Sequence, residues 1–595
     1  MSEVSDLSVI GISQAVNSAA TSAVEVATAA LTRVTAYEGV QPQVWIERAV
    51  AQIILDQARA VDRRIAAGER LPLAGVPFAA KDNIDAAGLA TTAGCPAFSY
   101  RPDKNATVIE KLAAAGAVLI GKTNLDQFAT GLVGSRSPYG ACAAVHNRDY
   151  ISGGSSAGSA VAVAAGLTAF SLGTDTAGSG RVPAALNGLI GFKPTKGRWS
   201  TTGLVPACRS LDCITVFTRS ARDAQVVDGV IAGFDAADPY SRRSPADQPP
   251  SEAATFKVGV PRPEQLNFMG DLGSARLFQA ATARIRAMGG ALVEVDIAPL
   301  LAAAKLLYDG PWVAERTAVV EDFLRRSPAA IHPVVRGILQ GGLSITATQA
   351  FKAEYQLRAY QRQAENLWDS IDVLLLPTAP TTYRLREVLA EPLALNANLG
   401  LYTNFVNLLD MSAIAVPAGF RENATAFGVT LVGPAWADDR LLQLARRYED
   451  VAPMPANPPL DVSGVKPTVK LAVVGAHLAA MPLHWQLTSR DARLVKRCKT
   501  AAAYRLYAMA ETTPPKPALV YVGDVGAAIE VEVYELATEA FGSFVAEVPA
   551  PLAIGTVTLD DGLEVKGFVA EPRALDGATD ITALGGWRAY IATLA

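Results

Sequence analysis

The apolar positions along the chain follow two different periods, and each period predicts a different kind of element. Helical spacing of apolar residues over 11–68 predicts two helices. A short apolar strand follows and ends at Lys81. The next helix is predicted over 105–115 and leads into a strand over 117–120, while 372–377 is a continuous apolar run typical of a buried strand.

The densest apolar stretch, 161–172, predicts a buried helix that runs into a core strand. It covers about twelve residues and contains Gly166, whereas a membrane span needs about 20. The first six residues are acidic and lack the basic start of a secretory signal. We therefore expect no membrane association and a cytoplasmic protein.

A proline-rich stretch divides the chain near its last quarter. Residues 451–467 carry little apolar periodicity, a composition that marks a linker. The expected domains are 1–450 and 469–595, joined by a linker over 451–468. Alternating or continuous apolar runs in the second domain predict a small β-rich fold, with strands over 469–474, 518–522, 529–534 and 554–559.

Composition agrees with more than one domain and excludes some partners. The 595 residues exceed one ordinary hydrophobic core. Half of the residues are hydrophobic and 18% are charged, and the net charge of −4 gives no electrostatic footprint for nucleic acid. Five scattered cysteines do not form a disulfide framework.

Three segments, 75–83, 153–159 and 173–181, carry the candidate chemistry. They place Lys81, a serine in a glycine-rich turn (Ser155) and a serine between a predicted strand and a helix predicted over 182–189 (Ser179). A serine hydroxyl is a weak nucleophile and needs a base. Lysine serves as that base only when it is neutral, so Lys81 must be buried with a lowered pKa.

The turn before Ser179 offers backbone donors for an oxyanion. The amides of Thr176, Ala177, Gly178 and Ser179 can face one point, and each such hydrogen bond contributes about 10²-fold or more in rate.

With these segments, roughly the first three-quarters of the chain resembles the amidase signature family. The resemblance implies an α/β fold, with a large mixed β-sheet flanked by helices, and an acyl-enzyme mechanism. It implies that Ser155, which precedes Ser179 by 24 positions as in the family, follows a cis peptide bond and relays a proton between Lys81 and Ser179. It also implies an ion pair between Asp175 and Arg181. Ala157 stands where the family usually has glycine.

A second segment, 308–316, resembles the one that binds the substrate carboxylate in allophanate hydrolases. Tyr308 and Arg316 are its candidate binding residues, since a guanidinium holds a carboxylate with two parallel hydrogen bonds. By composition alone, Arg316 would be a helix-surface residue and Tyr308 a core aromatic.

The chain after Pro467 resembles the C-terminal domain of allophanate hydrolases, whose fold is similar to gamma-glutamyl cyclotransferase-like proteins. The resemblance implies that the first domain releases ammonia from allophanate and leaves N-carboxycarbamate. The second domain would decarboxylate this product, giving ammonia and carbon dioxide overall. His477 is the candidate residue for the second step, with His484 as the alternative, and 567–571 is a candidate pocket wall in which Glu571 could equally be exposed.

Two sequence patterns and two cysteine-containing pairs are rejected as the main functional site. Residues 116–123 satisfy the written P-loop pattern, but their middle is a predicted strand and not a phosphate-binding loop. Residues 154–158 satisfy the nucleophile-elbow pattern, which leaves Ser156 as a minor alternative nucleophile. Cys142 with His146, and Cys208 with Cys213, lack the spacing of a zinc site.

The resemblance also sets expectations for partners. We expect a small-molecule substrate, no metal or organic cofactor, and a homodimer as in relatives. Without a biotin-dependent segment the chain is expected to act as a free-standing enzyme, with allophanate supplied by a separate urea carboxylase or by biuret and cyanurate breakdown. The alternatives are an amidase of another small carboxylated amide of the malonamate type with a scaffolding C-terminal domain, one component of a tRNA-dependent amidotransferase, and a non-catalytic binding protein.

Overall fold

A computed structural model describes residues 6–245, 255–451, 458, 460–461 and 468–594. The chain divides into two compact units: the first comprises 1–49 and 53–461, and the second comprises 50–52 and 462–595. Of the predicted linker over 451–468, only 451, 458, 460–461 and 468 are among the described residues.

The strands of the first unit build one large sheet and one small ribbon. They are β1 (Trp45–Arg48), β2 (Pro77–Lys81), β3 (Val118–Thr123), β4 (Ala143–Ala144), β5 (Asn147–Ile151), β6 (Phe170–Asp175), β7 (Ile190–Lys193), β8 (Cys213–Thr218), β9 (Phe256–Pro261), β10 (Gly290–Val295), β11 (Val373–Pro377), β12 (Ser412–Phe420) and β13 (Ala426–Gly433). Within the described ranges, eleven of these form a sheet in the order β1-β3-β2-β6-β8-β7-β12-β13-β11-β9-β10, and β4 pairs with β5.

This sheet is mixed, as the family resemblance implies. Strand β2 runs parallel to both β3 and β6, whereas β6 and β8 are antiparallel. Its strands read as continuous apolar runs because both faces are covered: β2, β3, β6 and β8 are buried along their whole lengths. The rings of Phe78 and Phe170 stack at 5.2 Å between centroids across β2 and β6.

The first unit also contains helices, several of which pack against the large sheet. They are α1 (Val9–Asn17), α2 (Ala23–Glu38), α3 (Ala51–Ala66), α4 (Thr107–Ala114), α5 (Ala157–Ala164), α6 (Val182–Leu186), α7 (Ala221–Ile231), α8 (Leu272–Ala287), α9 (Ala298–Asp309), α10 (Trp312–Arg326), α11 (Pro333–Gly342), α12 (Ala347–Glu365), α13 (Leu385–Ala390), α14 (Ala394–Leu399), α15 (Phe405–Leu408) and α16 (Asp438–Val451). The buried helix predicted within 161–172 is α5, and the core strand after it is β6.

The two helices predicted over 11–68 are present as α2 and α3, but the segment also holds most of α1 and the edge strand β1, which were not predicted. A capping box formed by Ser22 and Glu25 starts α2 as a separate helix after α1. Strand β1 then pairs antiparallel with β3 before α3 begins. Pairing with a strand about 70 residues away overrides the local helical pattern here.

The second unit is β-rich, as predicted. Its elements are β14 (Thr468–Val473), β15 (Arg493–Lys499), β16 (Tyr504–Ala508), β17 (Pro517–Tyr521), β18 (Glu530–Ala537), β19 (Leu552–Thr558), β20 (Glu564–Ala570) and β21 (Thr579–Asp580), with α17 (Trp485–Thr488), α18 (Thr538–Val545) and α19 (Trp587–Leu594). One sheet has the order β15-β18-β14-β20-β19, and a smaller one has the order β17-β16-β21. The likeness to gamma-glutamyl cyclotransferase-like folds stays a prediction.

Among the residues described, no helix is both long enough and apolar enough to cross a membrane.

Candidate functional site

Lys81 ends β2 inside the large sheet, and its side chain is completely buried. Because β2 and β6 run parallel with Ala80 opposite Leu172, the lysine side chain lies beside the end of β6. Its Nζ atom is 2.7 Å from the Ser155 hydroxyl and 2.7 Å from the Thr174 hydroxyl. Lys81 and Ser155, which lie 74 positions apart in the sequence, are therefore in direct contact.

Burial lowers the pKa of the Lys81 ammonium from its usual value of 10.5 to about 7. The carboxylates of Asp126, Asp212 and Asp175 oppose this change, and the charge of Arg316 adds to it. A large fraction of Lys81 is consequently neutral near pH 7, which is the state that accepts a proton.

Ser155 lies in the turn between β5 and α5, next to the first turn of α5. The Gly154–Ser155 peptide bond is cis. The Ser155 carbonyl accepts a hydrogen bond from the Asp126 amide at 3.0 Å. Position 154 must be glycine, because a Cβ atom there would lie 2.2 Å from the Asp126 carboxylate. Close backbone packing thus places the Ser155 hydroxyl against Lys81.

The turn that carries Ser179 connects β6 to α6 and is held by Asp175. The Asp175 carboxylate accepts two hydrogen bonds from Arg181, at 2.9 and 3.0 Å, and one each from the amides of Gly178 and Gly180. Burial alone would raise the pKa of Asp175, but Arg181 holds it below its usual value. Gly178 has φ +130°, and a Cβ atom there would lie 2.5 Å from the Thr403 hydroxyl. The predicted contact between Asp175 and Arg181 is confirmed as a buried bidentate ion pair.

The structure corrects one of the expected oxyanion donors. The Gly178 amide donates to Asp175 at 2.8 Å, so it does not point at a substrate. In the described part of the chain, the amides of Thr176, Ala177 and Ser179 have no acceptor. The Thr176 hydroxyl donates a short hydrogen bond to Asp212, which anchors this side of the turn. Thr176, Ala177 and Ser179 are thus the available donors.

Ser179 is 2% exposed, and its hydroxyl makes no hydrogen bond to another described residue. The hydrogen bonds of the site join Lys81 to Ser155 but do not extend from Ser155 to Ser179. Catalytic hydrogen bonds are often loose in the absence of substrate. The relay from Ser155 to Ser179 therefore stays a prediction.

Ser156, the alternative nucleophile, is hydrogen-bonded to the backbone of β6. Its buried hydroxyl donates to the Thr174 carbonyl and accepts from the Thr174 amide, both at 3.2 Å. These two bonds tie the start of α5 to β6. The contacts assign Ser156 a packing role next to the site.

Arg316 lies on α10 and is only 3% exposed, so the surface interpretation of this residue is wrong. Its guanidinium carbon is 5.7 Å from the centre of the Tyr308 ring, at the end of α9. Its one hydrogen bond, 3.4 Å long, goes to the Thr130 hydroxyl, and its Nε atom has no partner among the described residues. No described carboxylate lies within ion-pair distance of it.

Three residues of this site had no signal in the sequence: Thr174, Asp212 and Thr130. Thr174 is the second hydroxyl on Lys81, and Asp212 supports the turn before Ser179. Burial raises the pKa of Asp212 to about 6, against the hydrogen bond from Thr176. These three residues reach the site only in the folded protein, because the packing of the chain places them next to the residues of the sequence motifs.

His477 lies in the second unit, in the loop after β14, and lines a cavity of about 230 Å³. Its Nε2 atom is 2.7 Å from the Gln486 amide oxygen. Its ring stacks on Phe568, with centroids 5.0 Å apart, and meets the edge of Phe544 at 5.1 Å. Burial lowers the pKa of His477.

The other two candidates in this unit lie outside that cavity wall. His484 contacts the Tyr534 hydroxyl at 3.0 Å, which in turn donates to the buried Glu532 carboxylate. Glu571 is exposed and pairs with Arg573 at 2.6 Å, so the surface interpretation of Glu571 holds. From the predicted wall 567–571, Phe568 lines the cavity.

Comparisons with known proteins match both parts of the chain. The amidase family model matches residues 26–442, and the model described as allophanate hydrolase C-terminal domain matches residues 469–592. The urea amidolyase of Saccharomyces cerevisiae is 44% identical over 88% of this chain, and the chain spans 30% of that protein's length. A glutamyl-tRNA(Gln) amidotransferase component from Deinococcus radiodurans is 38% identical over 68% of this chain and 90% of its own.

Among solved structures, the allophanate hydrolase of Kluyveromyces lactis is 41% identical, covers 97% of both chains and superposes with a TM-score of 0.70. The K. lactis urea amidolyase is also 41% identical with a TM-score of 0.70, and the match covers 36% of its chain. The chain therefore belongs to the amidase family, among the members that also carry an allophanate hydrolase C-terminal domain.

Proposed function

We propose that this chain hydrolyses allophanate in two steps, one in each of the domains expected at 1–450 and 469–595. The observation that carries the proposal is Arg316, a buried guanidinium without a described carboxylate partner. A buried unpaired charge is costly, so such a site favours an anionic ligand. Allophanate combines the two groups that the site accommodates, an amide for Ser179 and a carboxylate for Arg316, with the Tyr308 hydroxyl as an added donor.

The first step forms an acyl-enzyme. Neutral Lys81 takes the Ser155 proton while Ser155 takes the Ser179 proton, and Ser179 Oγ attacks the terminal amide carbonyl carbon. The amides of Thr176, Ala177 and Ser179 stabilise the oxyanion. Ammonia leaves with the returned proton, and water then attacks the ester to release N-carboxycarbamate. The contact between Lys81 and Ser155 and the lowered pKa of Lys81 support this order of proton transfers.

Arg316→Met should lower kcat/KM for allophanate roughly 100-fold, mostly through a higher KM, because it removes hydrogen bonds to a charged group. Turnover of a neutral amide such as propionamide should change little. The measurement is steady-state ammonia release with both substrates. Arg325→Met is the matched control, since Arg325 lies on the exposed side of the same helix and pairs with Glu321. Equal losses on both substrates would remove the carboxylate role.

For the second step, we propose that His477 assists the decarboxylation of N-carboxycarbamate. The C–N bond to one carboxylate breaks, its electron pair goes to nitrogen, and nitrogen takes a proton, so carbon dioxide and carbamate are formed. Carbamate then takes a proton on nitrogen and decomposes to ammonia and carbon dioxide. The position of His477 in the wall of a largely apolar cavity supports this assignment.

His477→Gln should leave the first ammonia released from allophanate at the wild-type rate. Carbon dioxide formation should fall by about 10²-fold or more, because general acid–base catalysis contributes this much. A rapid-quench experiment that follows both products tests this, with His484→Gln as the matched control. Unchanged carbon dioxide formation in His477→Gln, or its loss in His484→Gln alone, would move the role away from His477.

The partners follow from the same proposal. We propose a homodimer, and a functional link to a separate urea carboxylase that supplies allophanate. The extensive similarity to urea amidolyases supports the link. The match of 469–592 to the allophanate hydrolase C-terminal domain favours this function over a role in a tRNA-dependent amidotransferase, since the match to the Deinococcus protein covers only 68% of the chain.

A further inference from the structure

The cavity beside His477 is mostly apolar but contains two charged side chains, Lys516 and Glu547. Its apolar wall comes from the loop after β14, from the segment that leads into β17, from α18 and the loop after it, and from β19 and β20. These residues include Val474, Leu483, Pro514, Phe544, Leu552 and Phe568. The volume of about 230 Å³ is smaller than that of drug-sized sites and suits a ligand of few atoms.

The structure describes every residue of this wall. Lys516, which lies just before β17, is the one lysine or arginine among them. The Lys516 ammonium group makes no ion pair and no hydrogen bond to another described residue, whereas the Lys516 backbone amide donates to the Thr512 hydroxyl at 2.9 Å. The wall also contains one carboxylate, Glu547, but this group is already paired with Arg490 at 2.5 Å. The charges that face the cavity therefore leave an excess positive charge at Lys516.

Lys516 acts on His477 through space. Burial is the main cause of the lowered pKa of His477, and the hydrogen bond with Gln486 opposes it. The positive charges of Lys516 and His484 lower it further. Since the Gln486 oxygen is the partner of His477 Nε2, this nitrogen carries the hydrogen and the neutral ring keeps its lone pair on Nδ1. A ligand held by Lys516 would thus share a small space with an imidazole of defined orientation.

We propose that Lys516 binds a carboxylate in this cavity and that the ligand is a small dicarboxylate. The inference rests on the proposed function in its choice of ligand, because N-carboxycarbamate carries two carboxylates. A carboxylate would form a charge-assisted hydrogen bond with the Lys516 ammonium, which an apolar ligand would not. One carboxylate on the ammonium group leaves the other for the neighbourhood of His477.

The test uses malonate, which has the shape of N-carboxycarbamate and is not decarboxylated under mild conditions. The chain has four histidines, so full-length protein labelled with ¹³C-histidine gives few ring signals, and His477→Gln assigns the relevant one. Titration with malonate should shift the His477 signal. Arg316→Met should retain this shift, which excludes malonate bound in the first unit as its cause. Malonamide, the neutral analogue, should produce no shift.

Lys516→Met should weaken malonate binding at His477 by about 10-fold or more, and Lys516→Arg should restore most of it, because arginine keeps the charge. Lys566→Met, on an exposed position of β20, is the matched control and should bind as wild type. Equal malonate affinity in Lys516→Met and wild type, with both variants folded by circular dichroism, would overturn the inference. So would the absence of any shift in the wild-type protein.

The outcome is independent of the first catalytic step, because malonate is not an amide. Malonate binding through Lys516 in a protein that releases no ammonia from allophanate would keep the carboxylate site and remove the proposed function. Ammonia release from allophanate without malonate binding would do the reverse.

Discussion

Ser179→Ala should abolish ammonia release from allophanate, with a loss of at least about 10⁴-fold in kcat, because it removes the atom that would form the acyl-enzyme. The overall fold should persist, since the Ser179 hydroxyl has no hydrogen bond to another described residue and its removal leaves no described group unsatisfied. Ammonia release measured with an enzyme-coupled assay, together with thermal unfolding, checks both parts.

The matched control is Ser156→Ala, which removes a serine from the same buried region. Its hydroxyl makes two hydrogen bonds with the Thr174 backbone, so this variant should lose about 1 kcal/mol of stability and keep turnover within roughly tenfold of wild type. The opposite pattern, with active Ser179→Ala and inactive Ser156→Ala, would transfer the nucleophile to Ser156 and contradict the mechanism.

Lys81→Met should lower kcat for ammonia release by a factor comparable to that of Ser179→Ala. It should also be more stable than wild type at pH 7, although most core substitutions that remove hydrogen bonds lower the free energy of unfolding. In the folded protein, burial lowers the pKa of Lys81 to about 7 from an ordinary 10.5. The unfolded chain therefore binds a proton between these values that the folded chain does not. The free energy of unfolding then rises with pH across this window, and the protonated lysine destabilises the fold at and below pH 7.

Replacing this lysine with an apolar side chain of similar length removes that cost, and we expect a gain of about 1–3 kcal/mol at pH 7. Urea denaturation at pH 7 and at pH 9 measures it, and the gain should shrink at the higher pH. Lys104→Met, at an exposed position, should change neither activity nor stability. An active Lys81→Met, or one that loses several kcal/mol at pH 7, would contradict the neutral-base assignment.

The same lowered pKa predicts the pH profile of the wild-type enzyme. Only neutral Lys81 accepts a proton, so log kcat/KM should fall with unit slope as the pH drops below about 7. The residual kcat/KM of Lys81→Met should not show this decrease below pH 7.

Much of the first unit follows from local patterns. Continuous apolar runs predict β3, β6 and β11 because both faces of these strands are buried. The segment 116–123 matches the P-loop sequence pattern, but in the structure most of it forms the buried strand β3. Lys122 within it is a buried partner of Asp82 at 3.4 Å, a role that no phosphate-binding lysine would have.

The candidate site was only partly predictable, since its groups come from distant parts of the chain. The motifs pointed to Lys81, and their resemblance to the amidase signature family implied the role of Ser155 and the ion pair of Asp175 with Arg181. The sequence could not indicate that Asp175 also takes the Gly178 amide, because backbone direction in a turn is set by the packing around it. Thr174 and Asp212 reach the site through the register of β6 with its neighbours, which is a tertiary property.

The burial of Arg316 is also a property that composition alone does not predict. Its position on α10 reads as a solvent-facing arginine by composition, and only the fold shows it buried beside Tyr308. In the second unit, the strand pattern was evident from alternating apolar residues. The cavity around His477 was not, because its walls come from segments between 474 and 568 that close on each other only in three dimensions.

The most direct test of the central claim is ammonia release from allophanate beside malonamate and propionamide, each measured with wild type, Ser179→Ala and Arg316→Met. We predict a strong preference of the wild type for allophanate, complete loss in Ser179→Ala, and loss of the preference in Arg316→Met. A wild type that turns over malonamate or propionamide as well as or better than allophanate would contradict the claim and leave a general amidase in its place.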